Sequence, residues 1–195
     1  MTEAELIQKV AAKDSSAFKA LYESFKSLVY NTSLGYLQNA ADSEEITQDV
    51  FVEISRSASS FKGESSIKTW IYRITVNKCL DQLRHRNRKK RFGFLTSIFS
   101  KETGELAVDA PHFHHPGVLL ENKEKAALLF KLIDQLPEKQ KTAFVLAHVE
   151  ELPQKEVAEI MNASLKAVES LIQRAKANIR NELEKFYPEQ RNSNE

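Results

Sequence analysis

The sequence predicts an all-α protein of two small helical domains joined by a flexible linker, the C-terminal one containing a helix-turn-helix. Apolar residues recur at helical spacing in both halves of the 195-residue chain. Only five glycines and five prolines are present, too few for an all-β fold with many tight turns. Residues 92–117 contain three of those glycines and show no helical period, as is typical of an interdomain linker.

The composition excludes several classes of protein. The chain is 42% hydrophobic and 28% charged, which is ordinary for a globular protein. Its start is polar and acidic, and no apolar run approaches the roughly 18 residues needed to cross a bilayer. We therefore expect a soluble, cytoplasmic protein with no signal peptide and no membrane insertion. Cys79 is the only cysteine, which rules out an internal disulfide and a thiolate zinc cluster.

The net charge of +1 conceals an uneven distribution. Residues 1–60 carry five basic against nine acidic residues, residues 61–95 carry ten against two, and residues 96–195 carry thirteen against sixteen. The three balances are therefore −4, +8 and −3. A basic block between acidic flanks suggests one surface for a polyanion and another for a basic partner.

The first half of the chain predicts four helices. An apolar stripe at Leu6, Ile7 and Val10 begins the first helix, and a loop at residues 60–66 precedes the fourth, which starts near Ile67. Candidate N-cap residues precede the three later helices: Asp14 or Ser15, Asp42 or Ser43, and Ser65 or Ser66.

Residues 154–174 have the spacing of a helix-turn-helix. Val157 and Ala158 face inward on the first helix, and Ala158 is small enough to let a second helix cross closely. Asn162 lies where the chain must turn, and asparagine tolerates the left-handed conformation. Ser164 can cap the second helix, which returns an apolar stripe to the core: Val168, Leu171, Ile172 and Ala175.

The opposite face of that second helix is polar. It presents Lys166, Ala167, Glu169, Ser170, Gln173 and Arg174. Side chains of this kind suit base edges and phosphates of a major groove, although an αα-hairpin with a solvated face has the same pattern. Glu169 repels phosphate unless it accepts a hydrogen bond from a cytosine amino group.

The predicted helix Ser43–Ser55 has an acidic face. Glu45, Gln48, Asp49 and Val52 cluster opposite the apolar stripe of Ile46, Val50 and Ile54. An anionic face with one apolar residue can dock a basic helix. A solvated face with an incidental valine is the alternative.

The helix from Ile67 enters a strongly basic run. Six of the eight residues in RHRNRKKR (84–91) are Lys or Arg, a pattern that favours binding to a phosphate backbone. Aromatic residues nearby could stack on unpaired bases. Trp70 has the spacing of a core residue, whereas Tyr72 and Phe61 are the more open candidates for stacking.

Catalytic patterns are missing from the sequence. There is no Gly-rich phosphate loop, no nucleophile elbow and no carboxylate pair on a rigid frame. His112, His114 and His115 lack the framework of a metal site and read as part of a solvated linker. We expect no enzyme activity, no cofactor and no metal.

Taken together, the segments resemble a bacterial RNA polymerase sigma factor of the extracytoplasmic-function (ECF) type in the sigma-70 family. The first part matches in AFKALYESF (17–25), ADSEEITQDVFVEI (41–54) and the stretch 61–89 that begins FKGESSIKTW. The second matches over residues 136–180, from LPEKQKTAFV to the helix-turn-helix. Four blocks in the family's order, across a linker of expected length, make the resemblance specific.

The resemblance implies a domain layout and three binding surfaces. Residues 10–92 would be sigma region 2, residues 93–117 the linker and residues 118–187 sigma region 4. Core polymerase would contact Asp42, Glu45, Gln48, Asp49, Val52 and Glu53. The minus-ten element would contact Phe61, Lys62, Ser65, Tyr72, Arg73, Asn77, Lys78, Arg84 and Arg86. The minus-thirty-five element would contact Lys166, Ala167, Ser170, Gln173 and Arg174.

The same resemblance implies partners and a mechanism without bond chemistry. The partners would be the beta and beta-prime subunits of core RNA polymerase, double-stranded and melted promoter DNA, and an anti-sigma factor. Sigma would supply sequence specificity and capture an unstacked base, which offsets an unstacking cost of a few kcal/mol. A free-standing helix-turn-helix regulator is the runner-up, but it predicts a dimerisation or sensor domain for which the sequence gives no sign.

Overall fold

The structure, a computed structural model, describes residues 2–99 and 123–186. Within these ranges the chain is helical and contains no β-strand, which confirms the predicted fold class. Eight α-helices are described: α1 (Glu3–Ala11), α2 (Ser15–Leu37), α3 (Ala40–Ser57), α4 (Ile67–Phe99), α5 (Lys123–Asp134), α6 (Glu138–Phe144), α7 (Gln154–Met161) and α8 (Leu165–Phe186). Helices α1–α4 form the first region, and α5–α8 form the second.

Side-chain caps fix where the helices of the first region begin. Asp14 accepts hydrogen bonds from the first-turn amides of α2, as predicted. Ser66 accepts from the Thr69 amide at the start of α4, which is also a predicted cap. The prediction for α3 was wrong, because Asn39 caps it by accepting from the Asp42 amide. Helix α3 therefore begins at Ala40 and places Asp42 in its first turn, where the helix dipole favours an acid.

Helix α4 extends further than the sequence predicts. It continues to Phe99, so residues 93–99 of the expected linker are helical. A single glycine at position 93 costs a helix only about 1 kcal/mol and does not have to end it. The rest of that linker, with the three histidines, lies outside the described residues.

The core of the first region forms where three long helices meet. Apolar side chains of α2, α3 and α4 pack together with almost no exposure: Leu21, Val29, Val50, Ile54, Ile67 and Ile71. These residues recur at helical spacing, so each helix buries one side and leaves the other for charged residues.

The second region is built around α8. Pro137 and Pro153 precede α6 and α7, where their missing amide hydrogens remove no helical hydrogen bond. Between these two helices, Val145–Val149 forms one π-helical turn. Asn162 ends α7 in the left-handed conformation (φ 49°, ψ 50°), as predicted. Ser164 then accepts from the Ala167 amide and caps α8.

The two regions pack directly against each other. Helix α4 lies along α7, and α2 contacts the π-helical turn. Gly35 of α2 permits this approach, because a Cβ atom there would lie 3.4 Å from side-chain carbons of Val145 and Val149. Among the described helices, none is long and apolar enough to span a membrane.

The turn at Asn162 provides a test of how α8 is positioned. Asn162→Gly should change the free energy of unfolding by less than about 1 kcal/mol, since glycine adopts the left-handed conformation without steric cost. Asn162→Val should lower it by about 1–3 kcal/mol, because a β-branched side chain is strained there. Urea denaturation of the full chain, followed by circular dichroism, measures both. Equal stability of the two variants would contradict this role of the turn.

Candidate nucleic-acid interface

Helix α8 presents the polar face that the helix-turn-helix pattern predicts. All five residues predicted to read the minus-thirty-five element are exposed: Lys166, Ala167, Ser170, Gln173 and Arg174. Val168, Ile172 and Ala175 are buried on the other side, and Leu171 is half-buried. Because the buried stripe fixes the rotation of α8, the exposed side chains share one continuous face.

The acidic face of α3 is also open to solvent. Glu45, Gln48 and Asp49 are exposed, and Val52 is 47% exposed. We call these four residues the acidic face. Its composition can receive a partner that offers both a positive charge and an apolar contact.

Two other predicted polymerase contacts lie beside the basic helix instead. Asp42 is half-buried and pairs with Arg86 at 3.8 Å. Glu53 is half-buried and pairs with Lys78 at 3.5 Å. These ion pairs join α3 to α4 inside the first region, so Asp42 and Glu53 are less available to a partner than the acidic face.

The loop before α4 brings polar and aromatic side chains together. Lys62 is exposed, while Phe61 and Ser65 are half-buried. The Phe61 and Trp70 rings lie 5.0 Å apart at an interplanar angle of 47°. Trp70 packs against the hydrophobic core, in agreement with the sequence, and its ring contacts that of Phe61.

Tyr72 does not lie where the sequence places it. It was predicted to be an open stacking residue, but its side chain is only 4% exposed. Its hydroxyl donates to Glu150 Oε2 at 3.3 Å, and burial raises the pKa of the phenol. The partner belongs to the second region, so no pattern local to residue 72 signals this burial.

Other predicted minus-ten residues are engaged by the second region. Arg84 donates to both carboxylate oxygens of Glu138, at 2.8 and 2.7 Å, and this pairing lowers the pKa of Glu138. Arg73 donates to the main-chain oxygen of Glu159 at 2.7 Å. The Arg84 side chain is 52% exposed, so its ion pair contributes little to stability.

A cleft of about 1150 Å³ separates the two predicted DNA-binding faces. The first region lines it with Arg73, Asn77 and Arg84. The second region lines it with Ala167, Ser170 and Arg174. Residues that the sequence assigns to two separate promoter elements therefore face one another across the same opening.

The interface between the two regions, called the seam below, includes three residues that the sequence did not indicate: Thr32, Lys141 and Glu150. Thr32 donates to Glu150 Oε2 at 3.0 Å, and Lys141 Nζ donates to the main-chain oxygen of Tyr36 at 3.0 Å. The sequence gives no signal for these contacts, because the partners are more than 100 residues apart. Within the described ranges, no cluster of three or more acidic, histidine or cysteine side chains could hold a metal ion.

Each of the two regions matches a known family model. A model of sigma-70 region 2 matches residues 21–89, and a model of sigma-70 region 4 matches residues 126–179. The two matches follow one another in the order that the sequence resemblance predicts, and together they cover more than half of the chain.

Relatives with the same organisation extend over nearly the whole chain. The ECF RNA polymerase sigma-E factor of Escherichia coli is 28% identical over 184 residues, covering 94% of this chain and 95% of the relative. The sigma-E factor of Haemophilus influenzae is 29% identical, with 94% and 96% covered.

Two solved structures share the fold. CnrH, solved with the cytosolic domain of CnrY, has a TM-score of 0.63 at 19% identity and covers 93% of this chain and 97% of its own. The sigma factor RpoE of Bartonella quintana, solved with the anti-sigma factor NepR, has a TM-score of 0.58 at 18% identity and covers 86% and 96%. With both regions, their order and their fold in agreement, this chain belongs to the sigma-70 family of RNA polymerase sigma factors, in its extracytoplasmic-function group.

Proposed function

We propose that this protein binds core RNA polymerase and directs promoter-specific initiation of transcription, with recognition and melting divided between its two regions. One observation carries the proposal: sigma-70 regions 2 and 4 occur in one chain, in that order. Residues 10–92 would act at the minus-ten element and residues 118–187 at the minus-thirty-five element. The family consists of initiation factors rather than enzymes, so no bond chemistry is assigned to the chain.

The acidic face is the surface proposed to dock on the beta and beta-prime subunits. Glu45 and Asp49 provide negative charge at the centre of the exposed side of α3, and Val52 provides an apolar contact. A charge-assisted hydrogen bond that loses its water on docking contributes about 1.5–3 kcal/mol. Asp42 and Glu53 would contribute at the edge of this surface, beside their partners on α4.

The exposed face of α8 is proposed to enter the major groove. Ser170 and Gln173 lie near its centre, where hydrogen bonds to base edges are possible, and Arg174 lies towards its edge, where a phosphate is nearer. The N-terminal turns of a second helix in a helix-turn-helix supply such contacts. This arrangement supports base reading by the centre and anchoring by the edge.

The loop before α4 and the basic side of α4 are proposed to hold the melted strand. Phe61 offers a half-buried ring for stacking, and Asn77 offers an exposed amide at the cleft. Lys62, Arg84 and the basic run that follows would neutralise phosphates. Tyr72 is withdrawn from the stacking set because it is buried at the seam.

The remaining assignments follow from the same function. Bacterial transcription takes place in the cytoplasm, so we place the protein there. The solved relatives named above were captured with protein partners, one of them an anti-sigma factor, and an anti-sigma factor is therefore proposed for this chain too. A free-standing helix-turn-helix regulator accounts for α8 but not for the acidic face or the region 2 match.

Charge reversal on the acidic face tests the polymerase contact. Glu45→Lys with Asp49→Lys should raise the Kd for core polymerase at least about tenfold, since each lost contact removes about 1.5–3 kcal/mol when it is desolvated. Binding is measured by fluorescence anisotropy of the labelled full chain. Glu23→Lys with Glu184→Lys makes the same charge change on exposed residues outside the face and should bind nearly as the wild type does. Equal affinity of the two double variants would rule out this docking surface.

Single substitutions on α8 should separate base reading from phosphate anchoring. Gln173→Ala should relax the preference at one base position, at a cost of about 1–3 kcal/mol. Arg174→Ala should weaken all sequences alike and flatten the salt dependence. The measurement is transcription with core polymerase from templates randomised at the upstream element.

Lys185→Ala is the matched control, because Lys185 is exposed near the far end of the same helix. It should retain both the activity and the base preference of the wild type. Wild-type behaviour of the Gln173 and Arg174 variants as well would show that this helix does not read the promoter.

A further inference from the structure

We propose that Lys141 and Glu150 form a buried latch that holds the two regions of the free protein closed, with their DNA-binding faces turned towards each other. The latch residues flank the π-helical turn of the second region, and both reach into the first region. The consequence for promoter recognition rests on the proposed function, whereas the latch itself rests on contacts within the chain.

Lys141 completes the end of helix α2. The last carbonyl groups of a helix lack partners within it and carry partial negative charge. The Gln38 side chain donates to the carbonyls of Leu34 and Gly35, and Lys141 Nζ donates to that of Tyr36 at 3.0 Å. The lysine side chain is only 4% exposed and is also paired with Asp134 of its own region. Lys141 belongs to the second region, and its buried ammonium group lies at the end of a helix of the first region. This contact therefore stabilises the closed form.

Glu150 makes the second half of the latch. Its Oε2 atom accepts from the Thr32 hydroxyl at 3.0 Å and from the Tyr72 hydroxyl at 3.3 Å. Thr32 and Tyr72 come from α2 and α4 and are almost fully buried. Burial raises the pKa of Glu150, while these two hydroxyl groups and the nearby Lys68 lower it. Both hydroxyl groups lose this partner if the regions separate, so the contact exists only in the closed form.

The surfaces around the latch fit closely. At Gly35 the backbone of α2 comes near Val145 and Val149 of the π-helical turn. Lys68 of α4 pairs with Glu156 of α7 at 3.1 Å beside this contact. The latch is therefore the buried centre of a continuous seam, which more exposed ion pairs surround.

The closed arrangement is incompatible with simultaneous reading of two promoter elements. Elements at minus ten and minus thirty-five are separated by about 25 base pairs, or roughly 85 Å of B-DNA at about 3.4 Å per base pair. Here both predicted faces line one cleft of about 1150 Å³, and Arg73 and Arg84 are already bound to the second region. Release of the latch must precede recognition of both elements.

The test compares a latch variant with a matched control in the full-length chain. Lys141→Met with Glu150→Ala removes the donor to Tyr36 and the acceptor for Thr32 and Tyr72. Lys131→Met with Glu151→Ala makes the same changes at exposed positions. Ser27→Cys on α2 and Ala177→Cys on α8 carry the dyes in both, since these positions are exposed and the native Cys79 is fully buried.

Single-molecule energy transfer without polymerase reads the open and closed populations. The control should show one closed population, and the latch variant should raise the open-to-closed ratio about tenfold or more, as expected when buried hydroxyl groups lose their partner. Helix content by circular dichroism should be equal in the two proteins. A latch variant that folds and stays as closed as the control overturns the proposal.

Thr32→Val provides a second, milder variant from the opposite side of the seam, in case the double variant folds poorly. It should also raise the open population, and no change there contradicts the role of Glu150. A promoter assay with core polymerase separates the two proposals. If the latch variants open, the latch is supported, whatever the promoter assay shows. If the wild type fails to direct transcription, only the proposed function is contradicted.

Discussion

Helix α4 is the element on which both regions depend, because it packs against helices of both. Ile71 and Cys79 are fully buried in the core of the first region. Tyr72, one residue after Ile71, is buried instead against the second region, where its hydroxyl meets Glu150. The exposed side of α4 carries polar residues of the proposed DNA-binding surface, among them Asn77 and Arg84.

The parts of the fold that depend on local pattern could be predicted from the sequence. The apolar residues of α2, α3 and α8 recur at helical spacing. This periodicity alone predicts that Val50, Ile54 and Val168 are buried and that the faces opposite them are exposed. The left-handed turn at Asn162 and the caps at Asp14 and Ser164 are equally local. The start of α3 was misplaced because Asp42 and Ser43 are both favourable N-cap residues, whereas Asn39, three residues before Asp42, forms the cap.

The seam between the regions could not be predicted, because its partners are far apart in the chain. Thr32 and Glu150 are separated by 118 residues, and Tyr36 and Lys141 by 105. A lysine between polar neighbours reads as a solvated residue, and only the folded chain brings it to the end of α2. The same reason explains the error at Tyr72, where an aromatic residue in a basic setting favoured stacking on a base.

The strength of the latch sets how far promoter recognition depends on polymerase. In the proposed function each region would read its element weakly, and holding both on one rigid polymerase would make the combined binding tight through effective concentration. The apparent affinity for both elements is reduced by the fraction of open molecules. The latch contains three buried hydrogen bonds to charged groups. At about 1.5 kcal/mol each, they would reduce that fraction by about three orders of magnitude. A latch of this size would leave the free chain a poor reader of promoters. The proposed docking of the acidic face, which lies outside the seam, could still begin in the closed form.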